Sequence, residues 1–448
     1  MRLHHVIGGL AYCAVLASSA RAEEAVWADA KVSTVAQVFS QGLVPGQPGA
    51  VTRVEPAYPF TTTGFMRFGG VDLPNANDSV SGELSAWGRV GPRDGLLGDG
   101  DVTAAWMQFK QEHFRVRLGR QVTLPGSSRY VRFDGANLGV TFGAFDFDAY
   151  GGWVALPRWN QPRGAQYLGF VGDALKDPQY LEAQNRLGQF VLGARAGVTF
   201  GRVGRAALAF HEQHDAVGVA FRVLSADLAF RPTWWMHFGG RVSFDAVALA
   251  VPEARAFIDI TALRVLPISL DYSFQQTSLL LPKTSVLAAF GGGAWHELGA
   301  ETRVQLPGSL ALTLRGAGQV FEKNALGGRG TARLQWTPGL DGRWLILGEV
   351  SRAWVPPSGF TQARVAARWK ALKELSFSAD AAVYFYDTPI RNTRVSATGI
   401  ASVEYRVAKW VSATLSGTMM TTPYATFEAQ GLARIVMELD PVSAGGGI

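Results

Sequence analysis

In the stretch His113-Phe-Arg-Val-Arg-Leu-Gly-Arg-Gln121, Phe114, Val116 and Leu118 alternate with Arg115, Arg117 and Gly119. A period of two marks a β-strand with one apolar and one polar face. Residues 101–109 precede it in the same rhythm, and Glu112-His113 makes a tight turn between the two, so the pair is expected to form a hairpin. The stretch then passes a Pro125-Gly126 break and reaches Arg129-Tyr-Val-Arg-Phe-Asp-Gly135. Arginines therefore gather at one hairpin.

The rhythm continues outward in both directions. Residues 80–90 set Leu84 and Ala86 against Glu83, Ser85 and Arg89, and residues 143–153 bring Asp146 and Asp148 to one face. Hairpins follow from residue 189, with turns at Gly201-Arg202, Arg231-Pro232, Pro267, Pro307-Gly308, Pro338-Gly339, Lys373-Glu374 and Ala408-Lys409. In residues 268–275, Ile268, Leu270, Tyr272 and Phe274 alternate with Ser269, Asp271, Ser273 and Gln275. Turns are short at one end of the hairpins and longer at the other, as at residues 276–293. Trp234, Trp336, Trp344, Trp354, Trp369, Tyr405 and Trp410 fall near strand ends.

The composition agrees with that pattern. Apolar residues make up 48% of the 448-residue chain and charged ones 17%, against about 25% charged in ordinary globular proteins. Dispersed apolar positions without a long apolar run fit a transmembrane β-barrel, whose lipid face uses every second residue. The expected fold is all-β: an antiparallel up-and-down barrel with an even number of strands, about 18 to 22. A β-sandwich holds far fewer strands.

At the N-terminus, Arg2, His4 and His5 precede an apolar run, and Ala20-Arg21-Ala22 follows it, which is the layout of a signal peptide cleaved after Ala22. Tyr12 is too bulky for a lipid-attachment site at Cys13, the sole cysteine. Removal of Arg2 and Arg21 takes the formal charge from +6 to +4 and leaves no thiol. The expected organisation is a signal peptide (1–22), an N-terminal segment that is loop, short helix or first strand (23–61), a barrel (62–440) with a long external loop (156–187), and a tail (441–448). The location implied is the outer membrane of a Gram-negative bacterium.

A barrel of this size encloses an aqueous lumen whose chemistry is set by inward side chains. The candidate pore-lining residues are Arg115, Arg117, Arg120, Arg129, Arg132, Asp134, Asp146, Asp148, Arg195, Arg241, Asp245 and Asp271. Rings of arginine favour anions, whereas arginines paired with carboxylates brace a wall, and both readings stand. Enzymatic chemistry finds little support, the one form left open being a hydrolase whose Ser, His and carboxylate meet at the barrel rim from distant parts of the sequence. In His211-Glu212-Gln213-His214 the histidines are three apart, where a strand sends them to opposite faces and a zincin helix needs them four apart. No metal or cofactor is expected. Single arginines spread along strands do not suit nucleic acid.

Leu118-Gly119-Arg120-Gln121, with Arg129, Arg132 and Phe133-Asp134-Gly135-Ala136, resembles the G-R-Q … R … F-D-G-x pattern of alginate-export-type outer-membrane porins. The resemblance covers a few dozen residues. It implies a lumen in which Arg115, Arg117, Arg120, Arg129 and Arg132 pass an anionic polysaccharide. This chain departs from it in its many inward carboxylates and in its Gly-Gly-Gly-Ile448 end. The expected function is a passive conduit for secreting an anionic or mixed-charge polysaccharide. A diffusion porin for uptake of small solutes and a scaffold for a surface assembly are the alternatives. The expected partners are outer-membrane lipids, the polysaccharide or a small anionic solute, and components of an envelope-spanning export system.

Overall fold

The computed structural model describes residues 27–40, 60–72, 79–90, 99–123, 131–155, 189–214, 218–261, 266–276, 279, 293–322, 325–339, 342–355, 358–423 and 427–439. The expected signal peptide and its cleavage site, the loop 156–187, Arg129 and the tail 441–448 lie outside these residues.

The described chain forms 22 strands. They are β1 (Trp27–Ser40), β2 (Phe60–Asp72), β3 (Ser79–Val90), β4 (Asp99–Gln111), β5 (Phe114–Thr123), β6 (Val131–Phe142), β7 (Phe145–Val154), β8 (Phe190–Phe200), β9 (Gly204–His214), β10 (Val219–Thr233) and β11 (Met236–Asp245). The second half comprises β12 (Ala250–Ile260), β13 (Ile268–Gln276), β14 (Ala294–Leu306), β15 (Leu310–Phe321), β16 (Leu326–Trp336), β17 (Trp344–Trp354), β18 (Phe360–Lys370), β19 (Leu375–Ile390), β20 (Thr393–Ala408), β21 (Val411–Thr421) and β22 (Glu428–Leu439). Each strand pairs antiparallel with the next, and β1 pairs antiparallel with β22 from Ala30↔Leu439 to Ser40↔Ala429. That last pairing closes the sheet into an up-and-down barrel and leaves no unpaired strand edge.

Two boundaries differ from the sequence reading. The barrel begins at Trp27 rather than residue 62, because β1 pairs with both β2 and β22. Its alternation is carried by Ala28, Ala30, Val32, Ala36 and Val38, small residues that give a weak hydrophobic period. Strand β10 runs past Arg231-Pro232 to Thr233, and the turn falls at Trp234-Trp235. Pro232 sits where the β10–β11 register shifts, a bulge that needs no ladder N–H from it.

Short turns close one end of the barrel: Glu112-His113, Gly143-Ala144, 201–203, 307–309 and Lys409-Trp410. Gly308 and Ser309 both take positive φ, 75° and 59°, as a tight hairpin turn demands. The longest connections lie at the opposite end, which also holds short ones. Strands β19 and β20, 16 residues each, meet there at Arg391-Asn392, whose φ values are 47° and 64°. Residues 387–396 of this hairpin overhang both neighbours, since β18 pairing stops at Phe360↔Tyr386 and β21 pairing at Ala397↔Thr421.

Candidate functional site: the inner wall of the barrel

Alternation sorts the side chains onto two faces. The outer one carries Leu118, Leu208 and Leu298, which are 57%, 67% and 66% exposed, along with Met107, Val365 and Leu415. Exposed apolar surface of this extent is not stable against water and needs an apolar neighbour. At the short-turn end this band finishes in rings, with Trp344 stacked on Trp369 at 5.3 Å and Trp369 on Phe377 at 5.5 Å. At the opposite end it finishes in ion pairs. Arg352 forks onto Asp387 at 2.6 and 2.7 Å, and Arg222 onto Glu212 at 2.7 and 3.1 Å.

The inner face is polar and densely paired. Arg115 donates to Asp148 and to Asn137, and the pair lies across Gly139, where a Cβ would stand 3.1 Å from the guanidinium. Arg117 donates to Gln108 Oε1 at 2.7 Å while its guanidinium covers the Trp106 ring at 4.1 Å. Asp146 accepts from Arg195 at 2.6 Å and from Arg205 at 2.9 Å, and Arg195 also faces Asp227 at 3.7 Å. Arg241 lies 3.7 Å from Glu253. Asp271 accepts from Arg315, 2.8 Å away. Asp245 is fully buried and caps its own turn, accepting from the Val247 and Ala248 N–H groups at 2.8 and 2.9 Å.

Three of the candidate residues belong to the other face. Asp134 shares its side of β6 with Leu138 and Val140, and it sits opposite exposed Trp153. Arg120 is its cross-strand partner and forks onto it at 2.6 and 2.8 Å. Arg132 is two residues away on the same side; its Nε donates to Ala155 O at 2.9 Å. The guanidiniums of Arg120 and Arg132 both donate to Val102 O, at 2.9 and 3.4 Å, where β4 and β5 stop pairing beyond Ala105↔Arg120. They hold strand ends together instead of facing the lumen. Gly119 enables this, because its φ of +115° and the approach of Ala105 O exclude a side chain. The clustering in sequence misled because Arg115 and Arg120 are five residues apart, and an odd separation crosses the wall.

Other inner residues that alternation also turns inward brace the wall beside the candidates named above. Glu297, 2% exposed, accepts from Gln319 at 2.6 Å and from Arg329, and lies 3.5 Å from Arg315. Arg333 donates to Glu349 at 2.6 Å, and Arg364 to Asp380. His211 points inward and bonds the Tyr150 hydroxyl through Nδ1 at 2.7 Å, whereas His214 points outward to Glu212, so the two histidines lie on opposite faces. Toward the long-connection end the inner face of β6–β12 is packed, with Phe133, Val191, His211 and Glu253 all buried. The inner face of β19–β21 differs in kind: between the levels of Asp380 and Glu404 it carries Ser378, Ser402 and Ser416, with Thr418 and exposed Ile400 level with Asp380.

No known protein family and no curated protein matches the chain. Among solved structures it is similar to the translocation pore of the P pilus usher PapC, with a TM-score of 0.47, 6% identity, and coverage of 92% of this chain and 99% of that one. It is also similar to OccK2 (OpdF) of Pseudomonas aeruginosa, with a TM-score of 0.44, 9% identity and coverage of 93% and 98%. OccAB4 of Acinetobacter baumannii follows with a TM-score of 0.41, 6% identity and coverage of 92% and 98%. At these values no function passes from them to this chain, and the barrel rests on its own register.

Proposed function

We propose that the chain is a passive channel of the Gram-negative outer membrane. The observation that carries this reading is a closed 22-stranded barrel with an apolar outer face and a polar inner one. Lipid satisfies the first face and water the second. The short turns then lie in the periplasm and the long connections outside. The outward ion pairs Arg352–Asp387 and Arg222–Glu212 fall at headgroup height, where charge is cheap.

Within that reading the channel is a conduit for secreting a polysaccharide of mixed charge. Strong anion selectivity requires arginines that lack counter-carboxylates, whereas Arg115, Arg195, Arg315, Arg333 and Arg364 each have one. A second reading, diffusive uptake of a small solute, is favoured by the packed inner face around Phe133 and His211, which suits a narrow solute. Purified protein in planar bilayers tests the common element. Stable conductance steps from protein recovered in the outer-membrane fraction are expected; a periplasmic protein that forms no steps would remove the channel. Passage of a labelled decasaccharide into proteoliposomes favours the conduit, and passage of mono- and disaccharides alone favours uptake.

A further inference from the structure

The inner wall of β18–β21 stands apart from the rest of the lumen. Phe360 and Tyr384 both face inward at the outer mouth and contact each other, with ring centroids 6.0 Å apart. Beside them, across the β19–β20 ladder, Ser396 pairs with Tyr384. Ser396 is 5% exposed, and its buried Oγ has no hydrogen-bond partner. A buried hydroxyl left unbonded costs roughly 1–3 kcal/mol, so its retention is informative. Below this group come Ala382 and Thr398, then Ile400 and the Asp380–Arg364 pair, and then Ser378 and Ser402, whose Oγ atoms are 2.6 Å apart, with Ser416 beside them. The serines offer donors and acceptors in both directions without fixed charge.

We propose that this sector is a saccharide track, on which sugar rings stack at Phe360 and Tyr384 and donate or accept hydrogen bonds along the serine row. The proposal rests on the channel reading and names the class of solute. A pyranose has an apolar C–H face and an equatorial rim of hydroxyls, and the track presents the complement of each: aromatic faces at the mouth and serine hydroxyls deeper, beyond the Arg364–Asp380 pair. Of the guanidiniums on this wall, that of Arg364 is occupied by Asp380, while exposed Arg394 lies two residues before Ser396 on the same face of β20. The overhanging β19–β20 hairpin carries both Tyr384 and Ser396, which places first contact at the external mouth.

Single-channel recording with maltohexaose as the probe tests the track. Maltohexaose should interrupt the current of the wild-type channel, and a polyethylene glycol of equal hydrodynamic size should do so far less. Tyr384→Ala and Phe360→Ala should each shorten the interruptions at least about tenfold, the equivalent of about 1.4 kcal/mol. Tyr384→Phe, which retains the ring, should keep most of the residence time, and Ser378→Ala with Ser402→Ala should shorten it without touching the platform. A heat-modifiable band on gels establishes that each variant is folded. An oligogalacturonate of the same length should block about as well as maltohexaose. Conducting channels that maltohexaose and the glycol interrupt alike, or folded Tyr384→Ala channels with unchanged interruptions, would refute the track while leaving the channel intact. A preference of tenfold or more for the oligogalacturonate would also refute it, in favour of recognition by charge. Absence of any conductance in the wild type would instead remove the channel itself.

Discussion

At the scale of single residues, neighbours in sequence meet opposite environments. Ser269 and Leu270 are adjacent on β13; Ser269 donates to Asp259 inside, and Leu270 is exposed on the apolar outer face. A midplane arginine on the lipid face costs about 2–4 kcal/mol, whereas a lumen position accepts it. Leu270→Arg should therefore lower the heat-modifiable fraction in outer-membrane preparations far more than Ser269→Arg, and equal yields would overturn the assigned faces. The same logic separates the arginines that the sequence groups together. Arg120 closes the gap at Val102 O and pairs with Asp134 on the outer side. Arg120→Ser should lower thermal stability by about 1–3 kcal/mol, the cost of leaving a charge-bearing hydrogen-bond partner unpaired, and should leave the ion selectivity of reconstituted channels unchanged. A shifted reversal potential in that variant would return Arg120 to the lumen.

At the scale of strands, what could be read from the sequence is what depends on local rhythm. The β4–β5 hairpin, its turn at Glu112-His113 and the inward set of β11 follow from alternation alone, because bulky Phe114, Leu118, Met236 and Phe238 mark one face clearly. Strand β1 was harder to place because alanines carry its period, and Pro232 read as a turn because its bulge is set by the partner strand. The partners of the wall charges were not legible at all. Arg315 reaches Asp271, 44 residues earlier on a strand two positions away, and such pairings depend on register and tilt rather than on spacing. Glu297 is the sharpest case, with Gln319, Arg329 and Arg315 converging on one buried carboxylate. Removing one partner of a buried charge set typically costs about 3–5 kcal/mol. Glu297→Leu should therefore lower the unfolding temperature more than Asp380→Leu, whose side chain is 31% exposed and whose pair is correspondingly solvated. Similar losses in the two variants, measured by heat-modifiability, would show that burial does not rank these pairs.

At the scale of the whole molecule, the lumen is a balanced field with one serine patch. Carboxylates accompany most inward arginines of β5–β18, while the serines of β19–β21 carry no charge. A pore built this way should conduct with weak selectivity, because paired charges cancel beyond a few ångströms and the serine patch adds no fixed charge of its own. The balance is testable at its most basic point, Arg115 and Arg117 on β5. Replacing both with Ser removes two positive charges and leaves Asp148 without its guanidinium. The reversal potential in a salt gradient near 0.1 M should then move toward cation preference, since the Debye length of about 10 Å is comparable with the reach of the exposed carboxylate. In about 1 M salt, where screening shortens to about 3 Å, the shift should nearly vanish. Adding Asp148→Ser should reverse about half of that shift, because it removes one of the two unbalanced negative charges, yet it should not restore heat stability, since the bracing pair is gone. A reversal potential unmoved by the double change would mean that ions do not pass this wall.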